Sequence, residues 1–250
     1  MASNTSDVFL YNPTTGESKR IPDVPEYLRS SSSVTWSWFS YGFGFDPLTN
    51  DYKVVKFNVD NDNYVYSLKK DSWRRICNIP CRRVYSRTSV ELNGAIHWIS
   101  LISGGESPKV VTAFDLNTEK LRHMPLPDLT EECDHIYGGY TVGTVKGRLC
   151  VVSWCFEMHD VIWVMNEYGV GSSWSKIRIG VSYCQVMIPL CSTRNDEEVF
   201  LLINKDLVLY YFERNTWRSV KIRGVESGKL QHANTYVESL ISPNSYGLQR

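Results

Sequence analysis

Apolar and polar residues alternate in short runs along most of the chain, and the runs are broken by Gly, Pro, Asn and Asp. A period of two is the mark of a strand with one buried face, and almost no stretch keeps helical spacing. Tyr41 to Phe45, Tyr52 to Phe57, Tyr64 to Leu68 and Ser72 to Ile76 read as one antiparallel meander, with a turn at Asp46 to Asn50 around Pro47. A second covers Ser89 to Leu92, Ala95 to Ser100, Val110 to Leu116 and Lys120 to Leu126. Its first hairpin turns at Asn93 and Gly94, residues that tolerate the positive φ of a two-residue turn. A third covers Tyr140 to Val145, Arg148 to Trp154, Val161 to Glu167 and Trp174 to Ile179, and a fourth Met187 to Cys191, Val199 to Asn204, Leu207 to Glu213 and Trp217 to Ile222.

These meanders repeat. The turn-opening residues Asn12, Ser67, Asp115, Asn166 and Glu213 are spaced by 55, 48, 51 and 47 residues. A period in that range indicates a ring or array of small sheets, because one such sheet cannot bury both faces alone. A strand pair remains at Val8 to Asn12 and Glu17 to Ile21, and one strand at Thr235 to Ser242. Propellers often close by letting both chain ends share a blade, which removes exposed edges. The expected fold is all-β, a β-propeller of about five four-stranded blades over residues 8–243 with an incomplete closing blade. Residues 1–7 and 244–250 are expected to be disordered.

Charge narrows the class of partner. The 250 residues carry 27 Lys and Arg against 27 Asp and Glu, so no global field draws the protein to nucleic acid or to a membrane surface. No apolar run approaches the length of a membrane span, and the polar start at Met1 to Asp7 is not a secretory leader. Seven cysteines, an odd number in no regular framework, read as free thiols in a reducing compartment, hence cytosol or nucleus.

Candidate catalytic chemistry is sparse. His97, His123, His135, His159 and His232 show no metal-ligand spacing with another His or Cys, and His97, beside Trp98 in an alternating strand, is expected to be packed or hydrogen-bonded. Gly42 and Gly44 flank Phe43 in a strand with no helix or Lys following, so they read as sites of close strand approach, not as a phosphate cradle. No cofactor or metal is expected. The enzymatic alternative is a sialidase- or oxidase-like propeller acting on carbohydrate, for which Lys70-Asp71-Ser72-Trp73 is the nearest sequence feature. Trp73, Trp174 and Trp217 read instead as repeated core residues on outer strands.

Several motifs carry a family resemblance. Tyr41-Gly42-Phe43-Gly44-Phe45-Asp46 with Asp51-Tyr52-Lys53-Val54-Val55, Leu92-Asn93-Gly94-Ala95-Ile96-His97-Trp98, Phe114-Asp115-Leu116, Met165 to Val170 and Tyr236-Val237-Glu238-Ser239-Leu240 occur in family order. Over roughly Val8 to Pro243 the chain resembles the F-box-associated domain of plant F-box proteins. The resemblance implies a kelch-like β-propeller, non-catalytic, that recruits a substrate protein to a Skp–cullin ubiquitin ligase. Relatives carry a helical F-box ahead of this domain, and no such segment lies upstream of Val8. The Skp-type adaptor and cullin are therefore expected partners of full-length relatives and not of this chain alone.

A propeller presents irregular loops on one face while its sheets stay rigid. The loops between blades and those between second and third strands share that face. Its candidate contact residues are Trp36 and Trp38, the cluster Arg82, Arg83, Tyr85 and Arg87, the acidic group Glu131 and Asp134 with Tyr137, and Phe156 with His159. Aromatic and Arg side chains enrich protein-contact hot spots, and a basic loop beside an acidic one orients a partner. Trp36 and Trp38 also admit a second reading, as the inward-packed opening of the next strand.

Overall fold

The computed structural model describes residues 7–29, 39–58, 63–76, 81–84, 86, 88–102, 109–128, 139–154, 159–183 and 186–247. Strands β1 (Val8–Asn12) and β2 (Glu17–Ile21) form a hairpin, and four larger antiparallel sheets follow. The first blade is β3 (Phe39–Asp46), β4 (Asp51–Asn58), β5 (Asn63–Ser67) and β6 (Ser72–Ile76). The second holds β7 (Cys81–Val84), β8 (Val90–Leu92), β9 (Ala95–Ile102), β10 (Lys109–Asp115) and β11 (Leu121–Pro125). The third is β12 (Gly139–Val145), β13 (Arg148–Trp154), β14 (His159–Met165) and β15 (Trp174–Tyr183). The fourth is β16 (Met187–Ser192), β17 (Glu198–Ile203), β18 (Asp206–Tyr211) and β19 (Thr216–Ser219).

The first three blades are each sandwiched between two neighbours, the fourth packs on the third, and alternate residues of one strand enter two different cores. On β4, Val54 packs with Ile21, Tyr66 and Trp73, while Val55 packs with Ile96, Trp98 and Phe114 of the second blade. On β13, Val151 joins Ala95, Ile99 and Val111 behind it, while Cys150 and Val152 join Met187, Val199 and Leu201 ahead of it. Successive side chains of a strand point to opposite faces. Runs such as Leu149-Cys150-Val151-Val152 are therefore apolar throughout, because both faces are buried.

Turn chemistry closes the hairpins. Asn50, Asn93, Gly94, Lys146 and Gly147 all adopt positive φ. The Asp46 and Asp115 carboxylates accept hydrogen bonds from backbone N–H groups two and three residues on, at 3.0 and 3.5 Å for Asp46 and at 3.1 and 2.7 Å for Asp115. That local bonding is why acidic residues open these turns.

Two junctions between sheets share one hook. The Trp73 indole donates to the Pro22 carbonyl at 2.6 Å, and the Trp174 indole donates to the Pro125 carbonyl at 2.9 Å. Each Trp opens the outer strand of one sheet and grips the end of the outer strand before it. Trp217 opens β19 in the same way but is 46% exposed, so the expectation of a core role holds for Trp73 and Trp174 only.

The structure is the expected propeller, with four blades and the β1–β2 hairpin packed on the first of them. Three sequence expectations change. The innermost position of the second blade is split: β8 pairs with Ala95 to His97 and β7 with Ser100 to Ile102, so Arg82 and Arg83 lie in a strand and not in a loop. Thr235 to Ser242 forms no strand; it runs past the first hairpin, where the Asn12 amide donates to the Ser239 and Ile241 carbonyls, each at 2.8 Å. Asn244 to Gly247 is a turn and not a free tail, because Tyr246 packs on Tyr52 and donates to the Asn50 carbonyl at 2.7 Å. Phe9 and Tyr11 are exposed on the face of the hairpin opposite Val8 and Leu10, which pack toward the first blade.

Candidate functional site

Because the strands within each sheet are antiparallel, the C-terminal ends of β2, β4, β6, β9, β11, β13 and β15 lie on one face, and the connections that follow them start there. Most of the predicted contact residues belong to these connections. Trp36, Trp38, Tyr85, Arg87, Glu131, Asp134, Tyr137 and Phe156 lie outside the described residues. Arg82 and Arg83 occupy β7, and His159 begins β14 opposite Tyr183 instead of sitting in a loop.

Beneath this face, between the first and second blades, is a cavity of about 190 Å³. Phe57 of β4, Val84 of β7 and Ile96 and Trp98 of β9 form its apolar wall, Ser40, Ser86, Thr88 and Ser89 are the hydroxyl residues that line it, and Tyr41 borders it while its ring packs on the opposite face of β3. Gly42 completes it from β3, where an added Cβ would come within 2.5 Å of the Ile96 side chain. Only glycine lets β3 approach the second blade this closely.

The split inner strand explains the hydroxyls. Between β7 and β8 Ser86 still donates its backbone N–H to the Ile99 carbonyl at 3.3 Å, and the side chains of Ser86, Thr88 and Ser89 add bonds to three blades. Thr88 Oγ1 donates to the Val142 carbonyl at 2.7 Å and accepts from the Val142 N–H at 2.8 Å. Ser89 Oγ donates to the Tyr41 carbonyl at 3.0 Å, and Ser86 Oγ accepts from the Ile99 N–H at 3.0 Å. Trp98 is 2% exposed, and its indole N–H has no acceptor among the described residues. Sequence reasoning missed this site because Trp98 lies in an alternating strand and reads as core. The available signal was the run Ser86, Thr88, Ser89 where an inner strand should be apolar.

The remaining polar clusters are structural. His97 is buried, its Nδ1 bonds the Val90 carbonyl at 3.3 Å, and its Nε2 lies 2.7 Å from the Tyr168 hydroxyl of the third blade. Because a carbonyl only accepts, Nδ1 carries the proton and Nε2 accepts from Tyr168. Burial outweighs the backbone bonds and pushes the imidazole pKa down to about 4, so the ring is neutral. Ser100, Thr112 and His123 form a hydrogen-bonded row in which Ser100 and Thr112 are 0% exposed. Among the described residues no three His, Cys, Asp or Glu side chains converge on a metal-sized site.

Comparison with known proteins follows the same lines. The family model described as "F-box associated beta propeller domain" matches residues 1–244. Among similar proteins are two from Arabidopsis thaliana. The F-box protein CPR1 is 26% identical over 96% of this chain and 65% of its own length. The F-box/kelch-repeat protein At3g23880 is 26% identical over 95% of this chain and 64% of its own. The chain thus spans just under two thirds of these relatives. Among solved structures, one described as the extracellular domain of a one-component system from B. thetaiotaomicron superposes with TM-score 0.50 and 12% identity, over 85% of this chain and 27% of that one. That likeness concerns the fold alone.

Proposed function

The chain belongs to the F-box-associated β-propeller family, and from that membership we propose that it is the substrate-recognition module of a Skp–cullin–F-box ubiquitin ligase. It acts by binding, without turnover. The loop face holds a target protein while the rigid blades fix its position, so that target lysines meet the ubiquitin-charged enzyme recruited elsewhere in the assembly. The adaptor and cullin are partners of the assembly as a whole, and the free thiols of Cys150 and Cys191 suit cytosol or nucleus.

The observation that carries this reading is the uncharged, hydroxyl-rimmed cavity under the loop face of a family propeller whose buried Lys53, Asp46 and His97 are tied into blade junctions. Its size favours capture of part of a macromolecule, since sites for whole small molecules are usually larger, roughly 300–1,000 Å³. The test is affinity capture from plant extract with the immobilised chain, followed by calorimetric titration of each captured protein. The reading expects saturable one-to-one binding at micromolar concentration or tighter. Absence of any saturable protein partner refutes it.

A further inference from the structure

Most outer strands of the ring have their cations matched by a carboxylate of the same chain. On β2, Lys19 Nζ lies 3.0 Å from Asp71 and Arg20 lies 2.7 Å from Asp7. Arg74 of β6 meets Glu119, Arg122 of β11 lies 3.5 Å from Asp115, and Arg178 of β15 lies 2.9 Å from Asp160. The fourth blade differs. Arg214 to Arg223, the stretch that contains β19, holds four cations and no carboxylate in a chain whose charges balance at 27 to 27. Arg214, Lys221 and Arg223 are exposed and reach no carboxylate among the described residues, and Arg218 donates instead to the Tyr211 hydroxyl at 2.8 Å. Glu226 pairs with Lys229, and Asp206 accepts from Ser227 and Gly228. With Glu213 of the preceding turn included, four positive charges face one negative.

The same blade leaves its tryptophan unhooked. Trp73 and Trp174 each hold a proline carbonyl of the preceding unit, whereas Trp217, at the same place in the repeat, is 46% exposed and holds none among the described residues. Backbone groups are open beside it. All four residues of β19 are exposed, and among the described residues the strand pairs with β18 alone. The Val220 N–H bonds the Leu207 carbonyl at 2.8 Å, so the alternation of an antiparallel ladder turns the N–H and C=O of Trp217 and Ser219 outward. A cationic edge opposes pairing with a second copy of itself, because like charges would meet, and it complements a strand of opposite charge.

We propose that the outer edge of the fourth blade docks an extended acidic segment of a partner protein. The segment continues the sheet beyond β19 by strand addition, its carboxylates pair with the cations of the strip, and one of its side chains covers Trp217. A nucleic acid strand brings the charge but no peptide edge for Trp217 and Ser219, and the balanced totals of the chain give it no wider field. The strip lies on the rim, apart from the cavity, and the proposal does not rest on loop-face recognition.

Backbone and indole NMR of the full chain tests it. The probes are a blocked heptapeptide of alternating glutamate and threonine, its glutamine counterpart, a form methylated at every backbone nitrogen, and octathymidylate. The acidic peptide is expected to shift the Trp217 indole and Ser219 amide signals saturably at about 50 mM salt and to bind several-fold more weakly at about 300 mM. The glutamine and N-methylated forms lose most of that binding. Arg218→Gln with Lys221→Gln weakens the acidic peptide roughly fivefold, the value of two exposed ion pairs, and both positions are exposed, so the variant melts as the wild type does. Lys69→Gln with Lys70→Gln, which removes the same charge from the exposed β5–β6 turn, leaves binding unchanged. No saturable shift at Trp217 or Ser219, equal binding of the glutamine peptide, or equal loss from the two double variants overturns the proposal. Equal binding of the N-methylated peptide overturns strand addition, and tighter binding of octathymidylate overturns the protein partner in favour of a nucleic acid.

Discussion

Replacing Lys53 by methionine keeps the bulk of the side chain and removes the charge that joins the first two blades. Lys53 Nζ lies 2.9 Å from the Asp46 carboxylate and 3.0 Å from that of Glu119, and it also donates to the Leu116 carbonyl. The Lys53 side chain is 7% exposed and that of Asp46 0%, so solvent cannot replace what is lost. Burial works against the ionised Asp46, but hydrogen bonds from Thr49, Lys53 and the Leu48 N–H outweigh it and hold its pKa below the ordinary carboxylate range. Removing one partner of a buried pair costs about 3–5 kcal/mol. The lower end applies here, because Asp46 keeps Thr49 and Glu119 keeps Arg74. At about 2–4 °C per kcal/mol for a chain of this size, about 3 kcal/mol lowers Tm by roughly 10 °C. Asp46 contributes above its unfolded pKa and loses its contribution as pH falls through the lower folded value, so the measurement belongs at pH 7. Differential scanning calorimetry would compare Lys53→Met with Lys70→Met, whose lysine is exposed in a turn. Adding Asp46→Asn should restore part of the loss. A Tm change for Lys53→Met no larger than for Lys70→Met refutes the junction as described.

Three further outcomes follow from the blade interfaces. His97 is neutral when folded, with a pKa of about 4 against 6.5 unfolded, so stability is complete above 6.5 and falls as pH drops toward 4; denaturant melts at pH 7 and 5 should differ by about 2 kcal/mol more in wild type than in His97→Asn. Gly143→Ala would place a Cβ 2.6 Å from the Pro189 carbonyl oxygen, where β12 meets β16, and should cost about 1–3 kcal/mol by chemical denaturation; a neutral result contradicts that packing. Burial pushes the Cys150 thiol pKa well up, so iodoacetamide should label Cys150 only on unfolding, as read by peptide mass mapping; labelling of the native chain at the wild-type melting baseline would contradict its burial.

Most of the fold was legible because it rests on local signals. The hairpin turns at Asn93-Gly94 and Lys146-Gly147 and the short apolar runs of β4, β10 and β14 are encoded within a few residues. What failed depends on contacts between distant segments. Cys81-Arg82-Arg83-Val84 reads as a loop because Pro80 precedes it and charges sit in it, yet pairing with Ser100 to Ile102 draws it into the sheet. Thr235 to Ser242 alternates like a strand but finds no strand neighbour among the described residues, since alternation supplies a face and not a partner edge. Tyr246 was invisible as an anchor because its contacts, Tyr52 and Asn50, lie at the other end of the chain. The cavity was equally hidden: Trp98 and Phe57 look like ordinary core residues until the split inner strand opens space beside them.

The central claim, that the loop face grips a protein, is tested most directly by quantitative mass spectrometry of what three forms of the chain capture from plant extract. The forms are wild type, Ser40→Phe on the loop face, and Leu48→Asp on the opposite face, where Leu48 is 75% exposed in the β3–β4 turn. The account predicts at least one saturable partner that is lost with Ser40→Phe and retained with Leu48→Asp. Partners unaffected by Ser40→Phe but lost with Leu48→Asp would place recognition on the other face and contradict it.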